Sequence, residues 1–288
     1  MSETHPSTEN LKATSLPSVC TTECQPWELQ LTPTKQESVA TETPVAITFN
    51  GIAYAVMMAT PDNLHDFALG FCISESILED PDQLLSCEAV SSDAGLELRL
   101  EITGKPFAKL KARRRNLTGR TGCGLCGVEA LNQAIPDLKP VTDQSRITHQ
   151  ALQVGLKNLS KLQSVNQQTG AMHAAAWCDS NGSIKLIRED IGRHNALDKM
   201  IGARISADQD DTGFALITSR ASYEMIMKAA RANIGIMAAI SAPTSLAIEL
   251  ARKCGVGLAA FTRHNRHTIY THYERFLEAS KNSYTASE

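Results

Sequence analysis

The chain has 288 residues, of which 42% are hydrophobic and 20% charged, and its formal net charge is −3. A chain of this length buries a sizeable core and has room for one large domain or two smaller ones. The net charge argues against a general nucleic-acid binder. No apolar run approaches a membrane-spanning length, and the first 36 residues are polar, so we expect neither a secretion signal nor a membrane partner. We therefore expect a cytoplasmic protein, in which eight cysteines need form no disulfides.

The first third of the chain predicts a disordered tail followed by a small α+β domain. Residues 1–36 are rich in Ser, Thr and Pro, which favours disorder. Residues 37–110 combine period-two apolar patterns with one helical pattern, and Asn50-Gly51 is a strong hairpin signal. The predicted elements are strands at 44–49, 52–58, 84–90 and 96–102 and a helix at 63–75.

Residues 111–127 form a basic, glycine-rich loop that carries two cysteines three positions apart, Cys123 and Cys126. Seven positive residues and no carboxylate lie between residues 105 and 120. The following sequence predicts a short helix at 128–135, so both thiols would lie at or before its N-terminus. The helix dipole and the positive charges both favour the thiolate, which is the reactive form of cysteine. The pattern predicts a mobile, activated thiol that collects a group at one place and delivers it at another.

Three other interpretations of these thiols stay open. They could be half of a four-cysteine zinc site whose other half is Cys20 and Cys24. They could be a thioredoxin-like dithiol, although that motif normally follows a core strand and here a basic stretch precedes it. A purely structural loop would explain the glycines but not the two thiols. The other cysteines lie mostly in apolar stretches typical of small core residues: Cys72, Cys87, Cys178 and Cys254.

Residues 128–280 predict an α/β domain, and residues 281–288 a second tail. An amphipathic helix at 149–162 leads into a hairpin that turns at Asn181-Gly182. The last hundred residues then alternate strand and helix, which implies parallel strands with covering helices. The predicted elements are strands at 171–178, 183–188, 214–218, 235–240, 256–261 and 268–271 and helices at 223–231 and 244–253.

Polar residues follow three of these strands directly, in segments 219–220, 241–245 and 262–266. In an open parallel sheet these segments would gather along the carboxyl edge, where ligands bind. Hydroxyls at helix N-termini together with arginines describe a phosphate or pyrophosphate site. Helix caps and surface arginines would explain each piece separately, but not their coincidence. Neither GxGxxG nor a P-loop is present, so an ordinary dinucleotide or ATP site is not supported.

The stretch at residues 188–199 is more polar than a turn from strand to helix requires, and we interpret it as lining a site. The residues that a capped helix start leaves unexplained are Arg193, His194, Asp198 and Lys199.

His173 suggests a zinc deaminase, which needs His-x-Glu followed by Pro-Cys-x-x-Cys. Ala175 stands where the glutamate would be, and the two-cysteine motif precedes the histidine instead of following it. Deaminase chemistry is therefore not expected.

Five separated motifs, taken together and in this order, closely resemble the FdhD family, the sulfur carriers needed for formate dehydrogenase activity. The resemblance covers roughly residue 37 to the C-terminus, and five motifs in order are far more specific than two cysteines alone. The motifs are GRTGCGLCGVEAL at 119–131, TGAMHAAAW at 169–177, REDIGRHNALDKMIG at 188–202, SRASYEM at 219–225 and SAPTSLA at 241–247.

The resemblance implies a sulfurtransferase that accepts sulfane sulfur from a cysteine desulfurase as a cysteine persulfide. It passes this sulfur to the molybdenum cofactor, in its bis(molybdopterin guanine dinucleotide) form, before the cofactor enters the catalytic subunit of formate dehydrogenase. Cys123 occupies the family's persulfide position, with Cys126 as its partner thiol, and residues 261–266 the cofactor-binding segment. The expected cofactor-binding residues combine this segment, the other segments at the carboxyl edge and the polar stretch at 188–199. They are Phe261, Thr262, Arg263, His264, Asn265, Arg266, Ser219, Arg220, Thr244, Ser245, Arg193 and His194.

The resemblance also implies an α/β fold with a three-layer core similar to cytidine deaminase, preceded by a smaller α+β domain, and a homodimer. The molybdenum cofactor is then a bound substrate, and no catalytic metal of the protein's own is expected. An alternative from another class is a non-catalytic escort of the cofactor, in which the two cysteines are structural or redox-sensing.

Overall fold

The structure is a computed structural model that describes residues 16–118, 138–207 and 212–278. Cys123, Cys126, the helix predicted at 128–135 and the tail at 281–288 lie outside the described residues. The strands are β1 (Val19–Cys24), β2 (Lys35–Ala40), β3 (Thr43–Phe49), β4 (Ile52–Ala59), β5 (Leu84–Ser92), β6 (Gly95–Ile102), β7 (Ile147–Thr148), β8 (His173–Asp179), β9 (Ile184–Asp190), β10 (Gly213–Ile217), β11 (Ile236–Ala239), β12 (Gly257–Arg263), β13 (Arg266–Thr271) and β14 (Phe276–Leu277). The α-helices are α1 (Leu64–Ser74), α2 (Gly104–Thr118), α3 (His149–Leu162), α4 (Ser164–Thr169), α5 (Arg193–Ser206), α6 (Tyr223–Arg231) and α7 (Ser245–Cys254).

The α+β unit is a four-stranded sheet in the order β4-β3-β6-β5, covered by α1. Alternate residues of β3, Val45, Ile47 and Phe49, are fully buried, as the period-two pattern predicts. Asn50 and Gly51 take positive φ angles of 47° and 77° at the hairpin between β3 and β4. The four predicted strands and the predicted helix are therefore confirmed, with bounds shifted by at most two residues.

The tail prediction needs correction over its described part. Strands β1 and β2 form an antiparallel hairpin in register from Val19 opposite Ala40 to Cys24 opposite Lys35. The hydroxyl of Ser18 also donates to the carboxylate of Asp62 at 2.9 Å. Composition measures average polarity, whereas a hairpin needs only local pairing of residues such as Val and Thr that suit an extended chain.

The predicted basic loop is also corrected in its first part, because α2 continues through Thr118. Residues 107–118 contain neither Gly nor Pro and are rich in Ala, Leu, Lys and Arg, which are good helix formers. Pro106 lies in the first turn, where its missing N–H costs nothing. The basic charge thus belongs partly to a helix that precedes the two cysteines in the sequence.

The α/β unit is built on a six-stranded sheet in the order β13-β12-β11-β10-β8-β9. β10, β11 and β12 are parallel, as the alternation of strand and helix predicts, whereas β8 and β13 pair antiparallel with their neighbours. The predicted hairpin of β8 and β9 is confirmed, and Gly182 takes a φ of 87° at its turn.

Helices cover both faces of this sheet. In β10, Ala215 and Ile217 face the cluster that contains residues of α5, α6 and α7, whereas Phe214 and Leu216 face the cluster that contains residues of α3. The result is a mixed α/β fold with a helix–sheet–helix arrangement of three layers. Its likeness to the cytidine deaminase fold stays a prediction.

The two units are packed together through α1 and α5, which cross at van der Waals distance. A Cβ atom on Gly70 would overlap the carbonyl oxygen of Asp198, and one on Gly202 would overlap that of Asp66. Only glycine therefore permits this approach of the two backbones.

Two buried lysines complete the junction between the units. Lys199 donates from Nζ to Asp62 and lies 2.8 Å from Asp190. Lys228 lies 2.9 Å from the Asp198 carboxylate and 2.8 Å from that of Glu75. Burial alone would lower the pKa of Lys228, but the carboxylates of Asp198 and Glu75 outweigh it and hold that pKa above its ordinary value.

This junction corrects the interpretation of residues 188–199 as a site. Asp198 and Lys199 are buried where the units meet and are bonded there to Ser74 and Asp62, and Arg188 pairs with Asp66 at 2.7 Å. The many charged residues in this stretch therefore belong to a polar interface between two hydrophobic cores. Only Arg193 and His194 of the predicted set point to the edge described next.

Candidate functional site

Backbone hydrogen bonds join the chain at the carboxyl ends of β10, β11 and β12. The N–H of Ala221 donates to the carbonyl of Ala242 at 3.2 Å, and that of Thr244 donates to Ala221 at 3.0 Å. The N–H of Phe261 donates to the carbonyl of Ser241 at 3.0 Å. The predicted meeting of these segments at the carboxyl edge of the sheet is therefore confirmed.

The edge carries most of the predicted residues in two groups. Ser219 and Arg220 follow β10, near the start of α5 with Arg193 and His194. The other group lies around the ends of β11 and β12 and consists of Thr244, Ser245, Phe261, Thr262, Arg263, His264, Asn265 and Arg266. Three strand spacings separate β8 from β12, or about 14 Å, so the edge is long enough for an extended ligand.

Phe261 has an unusual backbone at this edge. It takes a φ of 50° within an irregular pairing of β12 with β13, and its side chain is 45% exposed. A left-handed conformation costs a bulky residue roughly 1–2 kcal/mol. Together with Arg266, His267 and Thr268 it lines a notch of about 260 Å³. An exposed aromatic ring beside a guanidinium suits a planar, anionic ligand.

The hairpin turn beyond Phe261 presents further polar groups. Arg263 donates from Nη1 to the carbonyls of Ile240 and Thr262. Its side chain therefore bridges the ends of β11 and β12. The following residues His264, Asn265 and Arg266 are exposed, and Asn265 takes a φ of 59° in the turn.

The first turns of α5 and α6 meet at the other group. Nε2 of His194 lies 2.9 Å from the carboxylate of Glu224, and a guanidinium nitrogen of Arg193 lies 4.0 Å from the same carboxylate. Burial and the charge of Arg193 hold the pKa of His194 below its ordinary value, although Glu224 opposes them. His194 is therefore neutral near pH 7, and Arg193 supplies the positive charge.

His173 lies beside this pair at the start of β8. Its Nδ1 is 3.5 Å from the hydroxyl of Thr218, the residue after β10. Burial and then Arg193 lower the pKa of His173, while Asp190 opposes them. The sequence pattern pointed to His173 only as a failed deaminase ligand, and the structure adds it to the edge.

Buried polar atoms near the edge that have no hydrogen-bond partner among the described residues include Nε of Arg193, Oγ of Ser222 and Oγ1 of Thr262. Buried polar groups are normally paired, so unpaired ones often mark a place where a ligand completes the bonding. Ser222 precedes α6 without capping it through its side chain. Sequence analysis did not select Ser222, although a hydroxyl before a helix after a parallel strand was a usable signal.

The structure argues against a zinc site that would combine Cys123 and Cys126 with Cys20 and Cys24. Cys20 and Cys24 are four residues apart on one strand, so their Cα atoms are about 13 Å apart. Thiolates that share a zinc ion each lie about 2.3 Å from it. Cys20 and Cys24 of one chain therefore cannot bind the same ion.

The described residues before the cysteines form helix α2 and not a core strand. This does not match the strand that normally precedes a thioredoxin-like dithiol. Cys72, Cys178 and Cys254 are buried, as predicted for core cysteines, and Cys87 is partly buried. Across residues 16–118, 138–207 and 212–278, the helices are too short or too polar to cross a membrane.

The chain is similar to known proteins in both sequence and fold. The family model of the FdhD/NarQ family matches residues 40–277. Relatives named "sulfur carrier protein FdhD" include one from Cupriavidus necator, 46% identical over 86% of this chain and 85% of its own. Another, from Xanthomonas campestris pv. campestris, is 50% identical over 84% of this chain and 86% of its own.

Among solved structures, a putative formate dehydrogenase accessory protein from Desulfotalea psychrophila has a similar fold. Its TM-score is 0.72 at 22% identity, and the match covers 91% of this chain and all of that chain. This likeness supports the fold alone, whereas the family match spans both units described above. The chain belongs to the FdhD/NarQ family.

Proposed function

We propose that the protein is a sulfur carrier that takes sulfane sulfur onto Cys123 and transfers it to the guanine-containing molybdenum cofactor needed by formate dehydrogenase. The observation that carries this proposal is the carboxyl edge, where three chain segments place arginines, hydroxyls and helix starts together. The names of the relatives support the sulfur chemistry. The proposed partners are a cysteine desulfurase, formate dehydrogenase and a second copy of the chain.

The edge suits a nucleotide with a pyrophosphate group. α5, α6 and α7 all begin there, and the unpaired N–H groups of a helix start attract anions. Arg193, Arg220 and Arg263 add positive charge along the same line, and the buried Oγ of Ser222 has a bond to give. In this proposal the pyrophosphates lie over the helix starts, and a guanine stacks on Phe261.

The sulfur step requires no metal of the protein's own. The thiolate of Cys123 attacks the terminal sulfur of the desulfurase persulfide, which releases the desulfurase thiolate and leaves a persulfide on Cys123. Release of that sulfur as sulfide takes two electrons. Cys126 supplies them if it attacks the inner sulfur and forms a Cys123–Cys126 disulfide; if it acts as a second carrier, sulfane sulfur passes through it instead.

Peptide mass spectrometry tests the first step. The protein is incubated with a cysteine desulfurase and cysteine without reductant, and the peptides are searched for one added sulfur atom. We expect it on the Cys123 peptide, removable by reductant and absent from Cys123→Ala, whereas Cys20→Ala, at an exposed cysteine, retains it. An unmodified Cys123 peptide beside an active desulfurase contradicts the proposal.

Complementation of a strain that lacks the native protein tests the role in formate dehydrogenase maturation. Cys123→Ala should abolish formate dehydrogenase activity while leaving binding of GDP, a probe for the nucleotide half of the cofactor, intact. If a double alanine variant of Cys123 and Cys126 restores full activity, the protein is a cofactor escort and not a sulfur carrier.

A further inference from the structure

Gln153 of α3 contacts the hairpin turn at residues 264–266 through both ends of its amide. Its Oε1 accepts from the N–H of Asn265 at 2.9 Å. Its Nε2 donates to the carbonyl of Arg266 at 3.4 Å and lies 3.1 Å from Nδ1 of His267. An N–H group needs an acceptor and a carbonyl needs a donor, so the turn itself determines the orientation of the amide.

This orientation determines where the protons of two histidines lie. Because the Nε2 amino group of Gln153 is a donor, Nδ1 of His267 must accept, and the proton of a neutral His267 is on Nε2. That nitrogen lies 2.8 Å from Nδ1 of His149, which must then accept in turn. The ring centroids are 5.0 Å apart and the rings are inclined by 21°, which is compatible with this hydrogen bond. The proton of His149 is left on Nε2, 3.9 Å from the carboxylate of Glu278.

The chain of bonds from Gln153 through His267 to His149 is complete only while both imidazoles are neutral. A second proton on Nδ1 of His267 would face the amino group of Gln153, and one on Nδ1 of His149 would face the N–H of His267. Other charged or titratable groups that line the adjoining groove are Lys157 on α3, His264 and Arg266 on the turn, and Tyr273 and Glu278 on the final segment. Lys157 and Arg266 carry positive charge, and Glu278 is almost fully exposed.

We infer that Gln153 is a positioning residue: held by His267, which is in turn bonded to His149, it keeps the turn at residues 264–266 in the geometry that binds the nucleotide. This inference rests on the proposed function, in which a guanine stacks on Phe261 close to that turn. Gln153 is partly exposed on an amphipathic helix and is 112 residues from Asn265 in sequence. It acts through the turn and needs no contact with the ligand.

Amide hydrogen exchange in the full-length protein without ligand tests the contact directly. We expect Gln153→Ala to lose protection at the Asn265 amide, because that N–H loses its acceptor, and ¹⁵N NMR of the wild type to show His267 protonated on Nε2. Gln150→Ala is the matched control, since Gln150 is an exposed glutamine on the same helix. Unchanged protection in Gln153→Ala, or a neutral His267 protonated on Nδ1, overturns the inference.

Gln153→Glu distinguishes positioning through the histidine chain from general damage to the fold. The carboxylate still accepts from Asn265, but it binds His267 only when Nδ1 of His267 carries a proton. We therefore expect Asn265 protection in this variant to rise as the pH falls from 7.5 to 5.5, whereas protection in the wild type falls. The same direction of change in both proteins overturns the role of the histidine chain.

GDP titration at pH 7.5 connects the contact to binding. Gln153→Ala loses the two hydrogen bonds to the turn, those with Asn265 and Arg266. At ordinary strength this loss predicts roughly tenfold weaker GDP binding, whereas Gln150→Ala should bind GDP with unchanged affinity. Equal affinity of Gln153→Ala and the wild type overturns the link between the turn and the ligand. If the wild type binds no GDP, the proposed function fails, and the exchange and tautomer measurements still decide whether Gln153 holds the turn.

Discussion

The carboxylate of Glu224 lies 2.9 Å from Nε2 of His194 and so joins the first turns of α5 and α6 at the carboxyl edge of the sheet. Burial and the charge of Arg193 lower the pKa of His194, and Glu224 is the group that opposes them. Glu224→Gln should therefore lower this pKa further. An NMR titration of His194 measures it, with Glu249→Gln on α7 as a control at an exposed position. A higher pKa in Glu224→Gln would show that Glu224 does not stabilise the imidazolium.

Stability should fall in mild acid. Burial lowers the pKa of His173, His194 and His267, so between their folded values and the unfolded value of about 6.5 the unfolded chain binds more protons. Their contribution is complete above about pH 6.5 and is lost as the pH falls below it. Urea denaturation should show a lower free energy of unfolding at pH 5.5 than at pH 7.5. The difference should be smaller when these three histidines are replaced by glutamine. His264→Gln at an exposed site is the control, and an equal loss in both variants would contradict this assignment.

Phe261 should matter for binding through its ring. Phe261→Leu should weaken GDP binding by about 1–3 kcal/mol, the usual value of stacking a base on an aromatic side chain. Phe261→Tyr, which keeps the ring, should bind normally. The control is Trp27→Ala, an exposed aromatic residue in the loop between β1 and β2. Calorimetry with GDP measures all three, and normal binding by Phe261→Leu would remove the stacking role.

The junction between the two units should depend on the buried ion pair of Asp198 and Lys228. Asp198→Asn leaves the Lys228 ammonium buried with less charge compensation, which typically costs about 3–5 kcal/mol of unfolding free energy. Glu97→Gln removes an exposed pair with Arg99 and should cost less than about 1 kcal/mol. Urea unfolding of both variants measures the difference, and similar costs would mean that the buried pair contributes little.

Local patterns in the sequence predicted most of the elements and much of the site. The alternation in β3, the Asn-Gly turns and the helical pattern of α3 depend on neighbours within a few residues. These elements could therefore be predicted from the sequence alone. The order of strands and helices also predicted that Arg220, Thr244 and Arg263 would lie at one edge, because parallel strands end on the same side of a sheet. The five motifs led to the family.

Tertiary structure alone decided which polar residues face that edge. Asp198 and Lys199 have the same polarity in sequence as Arg193 and His194, yet partners 124 and 137 residues away, Ser74 and Asp62, bind them inside the molecule. Gln153 likewise gains its role from a turn that is distant in sequence. A buried charge is stabilised by whichever partner the packing brings to it, and that packing depends on the whole chain and not on local pattern.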